Sequence, residues 1–267
     1  MKKTCFVISL LFLITESNLS FSLQQNSFIT IKNKFLNEEY TQQIAHYTAL
    51  NKNFSSPPIN NGALFCHANH CLAIGTDAKG FLTSFRSNDA GSHWTAVSMH
   101  SPPMGQINKI LCDYNTIQCA AIGYSVDSAT TRTRLLGFST NDGGNTWTES
   151  QFSIPTNYDN SSLSLLACDD AINYCVTVGN MTQNNFNDYI PASFFTTDTG
   201  RHWTASTLSP PAMAESNVNR GYFLDQLTCS HFVMNCLVRG ENYTGTVSPL
   251  RYKTADGGDT WSMSPLA

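Results

Sequence analysis

The sequence predicts an all-β fold, a small propeller of four-stranded blades, from two features that repeat in step. The first is a turn motif, Ser/Thr-x-Asp-x-Gly-x-x-Trp. It stands at Ser87-Asp89-Gly91-Trp94, Thr140-Asp142-Gly144-Trp147, Thr196-Asp198-Gly200-Trp203 and Thr254-Asp256-Gly258-Trp261. These four copies use every tryptophan of the chain and recur every 53 to 58 residues. The second feature is a close cysteine pair upstream of each motif: Cys66/Cys71, Cys112/Cys119, Cys168/Cys175 and Cys229/Cys236. Self-similarity at such a period means one supersecondary unit stacked on copies of itself. Four antiparallel strands per unit, arranged about an axis, make a propeller.

Each unit reads the same way along the chain. An apolar run, Ala63-Leu64-Phe65 in the first, ends at the first cysteine as strand A. After a short polar loop, Cys-x-x-x-Gly opens strand B, as in Cys71-Leu72-Ala73-Ile74-Gly75. Two β-rich runs so joined form a hairpin. The cysteines face each other on its first rung, so four intra-hairpin disulfides are predicted. Each would constrain the unfolded chain by about 2–2.5 kcal/mol. Cys66-His67-x-x-His70-Cys71 offers four metal ligands as an alternative, but no other pair carries matching histidines, and no metal or other cofactor is expected. Strand C covers Gly80–Arg86, Leu135–Ser139, Ala192–Thr196 and Pro249–Lys253, and strand D starts at each Trp. The units span about 59–97, 106–150, 162–206 and 223–264, within one domain over 46–267. Residues 46–49 copy the spacing of a lone strand D that closes or pads the ring. Four blades are expected, and five with one degenerate blade are the alternative.

The motif has a structural reason. A turn Asp accepts hydrogen bonds from nearby amides, Gly supplies a positive φ, and Trp packs its ring while its N–H seeks an acceptor. On these residues the chain resembles the Asp-box (BNR) repeat family, found in sialidases and many other propellers. The resemblance covers roughly residues 47–267. It implies that Asp89, Asp142, Asp198 and Asp256 are folding elements distant from any active site. Sialidases of that family use an arginine triad, a Tyr/Glu pair and an Asp acid/base. No such residue carries over, because the Arg-Ile-Pro stretch is missing and three of the seven arginines, Arg86, Arg201 and Arg251, lie in or beside the boxes.

The chain opens Met1-Lys2-Lys3, an apolar stretch follows to Ile14, and Ser20-Phe21-Ser22 closes it. A basic start, a short apolar core and small residues near the end read as a signal peptide over 1–22, with 23–45 as an N-terminal segment. A secreted or periplasmic protein is expected, with no membrane span. The net charge of −4 and the absence of a basic run argue against nucleic acid.

Strand order puts disulfide hairpins and boxes at one end and the variable B–C and D–A loops at the other. Variable loops on a repetitive scaffold are where function is usually placed. Candidate ligand-binding residues there are Tyr124, Asp127, Arg132, Arg134, Asn187, Asp188, Tyr189, Arg220, Tyr222, Glu241 and Tyr243. Tyrosine and asparagine among a few charges suit sugar hydroxyls or a protein surface. The first expectation is a non-catalytic propeller binding a glycan or protein ligand. A glycosidase using paired carboxylates, and a periplasmic assembly factor, are the alternatives. No catalytic residue is assigned from the sequence.

Overall fold

The computed structural model describes residues 41–49, 52–99, 105–127, 132–155, 158–183, 188–208, 221–230, 233–244 and 246–264. The signal-peptide expectation for 1–22 lies outside them. A helix, α1, spans 41–49. Four sheets follow, each an antiparallel meander read outward in chain order. The first holds β1 (Gly62–His67), β2 (His70–Thr76), β3 (Leu82–Ser87) and β4 (Thr95–Ser98). The second holds β5 (Gly105–Cys112), β6 (Cys119–Val126), β7 (Thr133–Thr140) and β8 (Thr148–Glu149). Next comes β9 (Gln151–Ser153), which joins the third sheet of β10 (Tyr158–Cys168), β11 (Cys175–Gln183), β12 (Asp188–Thr196) and β13 (His202–Thr207). The fourth holds β14 (Gly221–Cys229), β15 (Cys236–Thr244), β16 (Thr246–Thr254) and β17 (Ser262–Met263).

All four cysteine pairs are disulfides, each across the first rung of its hairpin with Cα atoms 4.0–4.1 Å apart. The second cysteine of each pair lies opposite the first residue of its own box: Cys71 opposite Ser87, Cys119 opposite Thr140, Cys175 opposite Thr196 and Cys236 opposite Thr254. Disulfides and boxes therefore share one end of every sheet. The bridge consumes both thiols of the Cys66-His67-x-x-His70-Cys71 loop. His67 stacks on Tyr114 at 4.1 Å between ring centroids, and His70 Nδ1 lies 3.1 Å from Asn88 Oδ1.

Successive sheets pack face to face, as propeller blades do. The first interface buries Leu72, Ile74 and Leu82 against Ile107, Ala121, Leu136 and Phe138. The second joins Ala120 and Ile122 to Leu163, Phe194 and Trp203. The third joins Val176 and Val178 to Tyr222, Val238 and Tyr252. Among the described residues the fourth sheet does not pack on the first in this way. Instead Ile44 and Tyr47 of α1, with Phe54 and Ile59, cover the first sheet at Leu64, Ala73 and Phe85. The lone strand expected at 46–49 is therefore a helix. Its padding role survives, because Tyr47 stacks on Phe54 and its hydroxyl bonds the backbone of Cys66.

Three of the hairpin loops carry a β-branched residue at positive φ: Thr116, Ile172 and Val233, at 57–59°. Such residues rarely adopt this conformation, at a cost of order 1–3 kcal/mol. Burial explains their presence. Thr116 is buried, while Ile172 and Val233 plug the cores of the second and third interfaces.

Candidate functional site

The box end is a set of closed hydrogen-bond circuits. In each copy the Ser/Thr hydroxyl donates to Asp Oδ1 at 2.6–2.8 Å and accepts the Gly amide at 2.9–3.3 Å. The same Oδ1 accepts the amide four residues after the Asp, from His93, Thr146, His202 or Thr260, at 2.9–3.0 Å. The second oxygen, Oδ2, meets the side chain of that same residue at 2.5–2.6 Å. Both oxygens of all four carboxylates are thus spent on their own loops.

The electrostatics follow. The Ser87 hydroxyl, then the amide and ring of His93, hold Asp89 far below the ordinary carboxylate value. Burial pulls Asp142, Asp198 and Asp256 upward, but their hydrogen bonds outweigh it and all three end below the usual range, Asp256 at about 2. These groups stay ionised at any ordinary pH, which does not suit a general acid.

The box tryptophans fasten each sheet to what precedes it. Trp147 Nε1 donates to Ser84 Oγ at 2.9 Å, and Trp261 Nε1 to Ser193 Oγ at 3.1 Å. Among the described residues no sheet precedes Trp94 in the chain, and its Nε1 donates to the Ser55 carbonyl at 2.7 Å. The position equivalent to Ser84 and Ser193 is Gly137 in the second sheet. There Phe152 of β9 fills the space, stacked on Trp203 at 5.9 Å. The indole N–H of Trp203, buried, has no hydrogen-bond partner among the described residues. The box glycine completes the joint. Gly144 lies at φ +77°, and a Cβ there would sit 2.6 Å from Leu72 Cδ2 of the preceding sheet.

At the opposite end the strands run further than the sequence suggested, and the loops shrink. Between Tyr124 and Arg134, both expected in a variable loop, the chain is strand up to Val126 and from Thr133, and β15 and β16 leave only one residue between them. Tyr124 and Tyr222 are buried as a result. The Tyr124 hydroxyl donates to Gln106 Oε1 at 3.0 Å, and burial pushes its pKa up to about 12. Tyr222 belongs to the third interface core. Neither tyrosine offers its ring to a ligand. Arg134 is exposed and pairs with Glu149 Oε1 at 3.1 Å, while Arg132 and Asp127 are exposed at the turn between β6 and β7. Asn187 and Arg220 lie outside the described residues. Asp188 and Tyr189 open β12, and Tyr243 stands near the end of β15.

Three of the candidate acids from the sequence, Asp127, Asp188 and Glu241, fall toward this end, and Asp77 of the first sheet joins them. Asp77 and Asp127 directly follow β2 and β6, Asp188 opens β12, and Glu241 lies within β15 near its end. Asp77 and Asp127 occupy matching turns, each amide bonded to the carbonyl across the turn. Asp77 Oδ1 takes the amides of Lys79 and Phe81, so that carboxylate is structural. A crevice of about 170 Å³, lined by His70, Arg86, Asn88, Asn115 and Asp142, opens instead at the box end between the first two sheets. Its one carboxylate is already committed to the box.

No family model and no curated protein matches the chain. Solved structures do resemble it. A GH74 xyloglucanase from Xanthomonas campestris aligns at 14% identity and TM-score 0.46, over 74% of this chain and 28% of its own. A GH93 α-L-arabinofuranosidase of Fusarium graminearum aligns at 12% and 0.47, over 80% and 67%. A Penicillium chrysogenum α-L-arabinanase aligns at 13% and 0.45, over 81% and 69%. The chain thus spans little more than a quarter of the xyloglucanase. All three are glycoside hydrolases, and none is a sialidase. The first expectation was a non-catalytic binding propeller; the solved structures that resemble the chain are instead glycoside hydrolases, the class named as its alternative.

Proposed function

We propose that the chain is an exported Asp-box β-propeller of four blades that acts on glycans as a glycoside hydrolase. Its carboxylates come from Asp127, Asp188 and Glu241. The observation carrying this reading is the split of acidic residues between the two ends. Every box carboxylate is locked by two or more hydrogen bonds, and Asp77 by two amides. The three remaining B–C acids fall on the same end of three successive sheets. Glycoside hydrolysis needs two carboxyl groups across the scissile bond. One protonates the leaving oxygen, and the other attacks the sugar or activates water. The four disulfides suit an oxidising compartment, as an exported chain requires.

The test is reducing-sugar release from a panel of neutral polysaccharides that includes arabinan and xyloglucan. Asp127→Asn, Asp188→Asn and Glu241→Gln are assayed beside the natural chain. The reading expects turnover on at least one polymer, and a loss of about a hundredfold or more in at least two of the variants. A chain that hydrolyses nothing on the panel, or turnover untouched by all three substitutions, contradicts it.

A further inference from the structure

The four sheets present equivalent faces to whatever comes after them, and the fourth breaks the pattern. In the first three, the face is built on Leu72 and Ile74, Ala120 and Ile122, and Val176 and Val178, all at most 2% exposed beneath the next sheet. The matching residues of the fourth are Leu237, half-buried, and Arg239, exposed. Where β3, β7 and β12 offer Ser84, Gly137 and Ser193 to the following tryptophan, β16 carries Arg251, with Lys253 two residues on. A face that is apolar or small in three copies is cationic in the last.

The register arranges these groups as a grid. Gln226, Arg239 and Arg251 form one row across β14, β15 and β16, and Thr228, Leu237 and Lys253 form the next. Adjacent side chains in a row start roughly 5 Å apart. Two arginines directly opposite each other repel, which costs stability unless an anion lies between them. No ion pair or side-chain hydrogen bond among the described residues engages Arg239, Arg251 or Lys253.

We propose that this face binds a carboxylated polysaccharide of the polyuronate kind. Guanidinium forks match carboxylates in bidentate geometry, and the flanking Gln226 and Thr228 offer donors and acceptors to sugar hydroxyls. The cations and their polar neighbours stand in two rows across paired strands, as a linear polymer with evenly spaced charges requires. A protein partner fits it poorly. Interface cores are poor in charge and anchored by aromatic groups, and this grid holds one half-buried leucine. Three cations on a chain of net charge −4 are also few for tracking a nucleic acid. The proposal does not rest on the hydrolytic reading, because it uses a sheet face and none of the three proposed carboxylates.

The experiment measures binding of the full chain to polygalacturonate, its methyl ester, neutral arabinan and duplex DNA by titration calorimetry. The expected result is binding to polygalacturonate that weakens with salt, with the ester, arabinan and DNA binding at least about tenfold more weakly. The double variant Arg239→Gln/Arg251→Gln should lose about tenfold or more in affinity, and Lys253→Gln a smaller factor, with unchanged thermal melting. No binding by the natural chain, equal binding by the double variant, equal binding of the ester, or tighter binding of DNA each overturns the proposal. Arabinan and xyloglucan hydrolysis by the double variant should be unchanged. Failure here and failure of the hydrolase reading are therefore separate results.

Discussion

The two ends of each sheet are made from the same strands yet obey different rules. At the box end, four loops repeat one circuit of hydroxyl, carboxylate and amide. A disulfide lies beside each, and a tryptophan packs each sheet against what precedes it. At the other end the same strands close with turns of different length, and one acid per sheet is what recurs. Asp142 and Asp127 make the contrast concrete. Both are aspartates of the second repeat. One accepts from four donors, the Thr140 and Thr146 hydroxyls and the amides of Asn145 and Thr146, and the other stands exposed at a turn. Repetition with saturated hydrogen bonding marks scaffold. Repetition of the charge alone, on turns that differ, marks the place for chemistry.

The sharpest way to break this comparison is to cut the two aspartates. Asp142→Ala leaves the buried Thr140 hydroxyl without its acceptor and releases the box loop, and should cost about 3 kcal/mol in urea unfolding. Asp127→Ala should cost less than about 0.5 kcal/mol. Equal losses would erase the distinction. Next in size is the disulfide beside the box. Replacing Cys112 and Cys119 by alanine should cost about 2–2.5 kcal/mol by the same measurement. The tryptophan joints are graded more finely. Ser84→Ala leaves the Trp147 N–H without its acceptor and should cost about 1 kcal/mol. Ser193→Ala should cost less, because Trp261 Nε1 also lies 3.1 Å from the Gly258 carbonyl.

The smallest effect is the pH dependence. All four box carboxylates are depressed in the folded state. Their contribution is therefore complete above the unfolded value of about 4 and declines as pH falls below it. Unfolding midpoints measured from pH 6 down to pH 2 should fall on the acid side, and Asp142→Ala should flatten that decline. A midpoint that rises on acidification would mean that the boxes are not held as ionised circuits.

What the sequence made legible was whatever contiguous residues encode. A box is eight residues that bond to themselves, and a cysteine pair five or seven apart closes its own hairpin. Both could be read without knowing what lay around them. The helix over 41–49 was misread as a strand, because its identity depends on Tyr47 and Ile44 finding the bare face of the first sheet. Tyr124 and Tyr222 looked like loop tyrosines because strand length is set by pairing across the sheet, not by local composition. The role of Phe152 was equally hidden. It follows from Gly137 lying where the first and third sheets have serine, and from a stack on Trp203 of the next repeat.

The most direct measurement of the central claim pairs stability with turnover on the same variants. Thermal melting and polysaccharide hydrolysis are recorded for Asp142→Ala and for Asp127→Asn, Asp188→Asn and Glu241→Gln. The prediction is a lowered melting temperature with hydrolysis retained below the melt for Asp142→Ala. At least two of the other three should keep their melting temperature and lose hydrolysis. Hydrolysis that disappears in folded Asp142→Ala and persists in all three of the others would contradict the account.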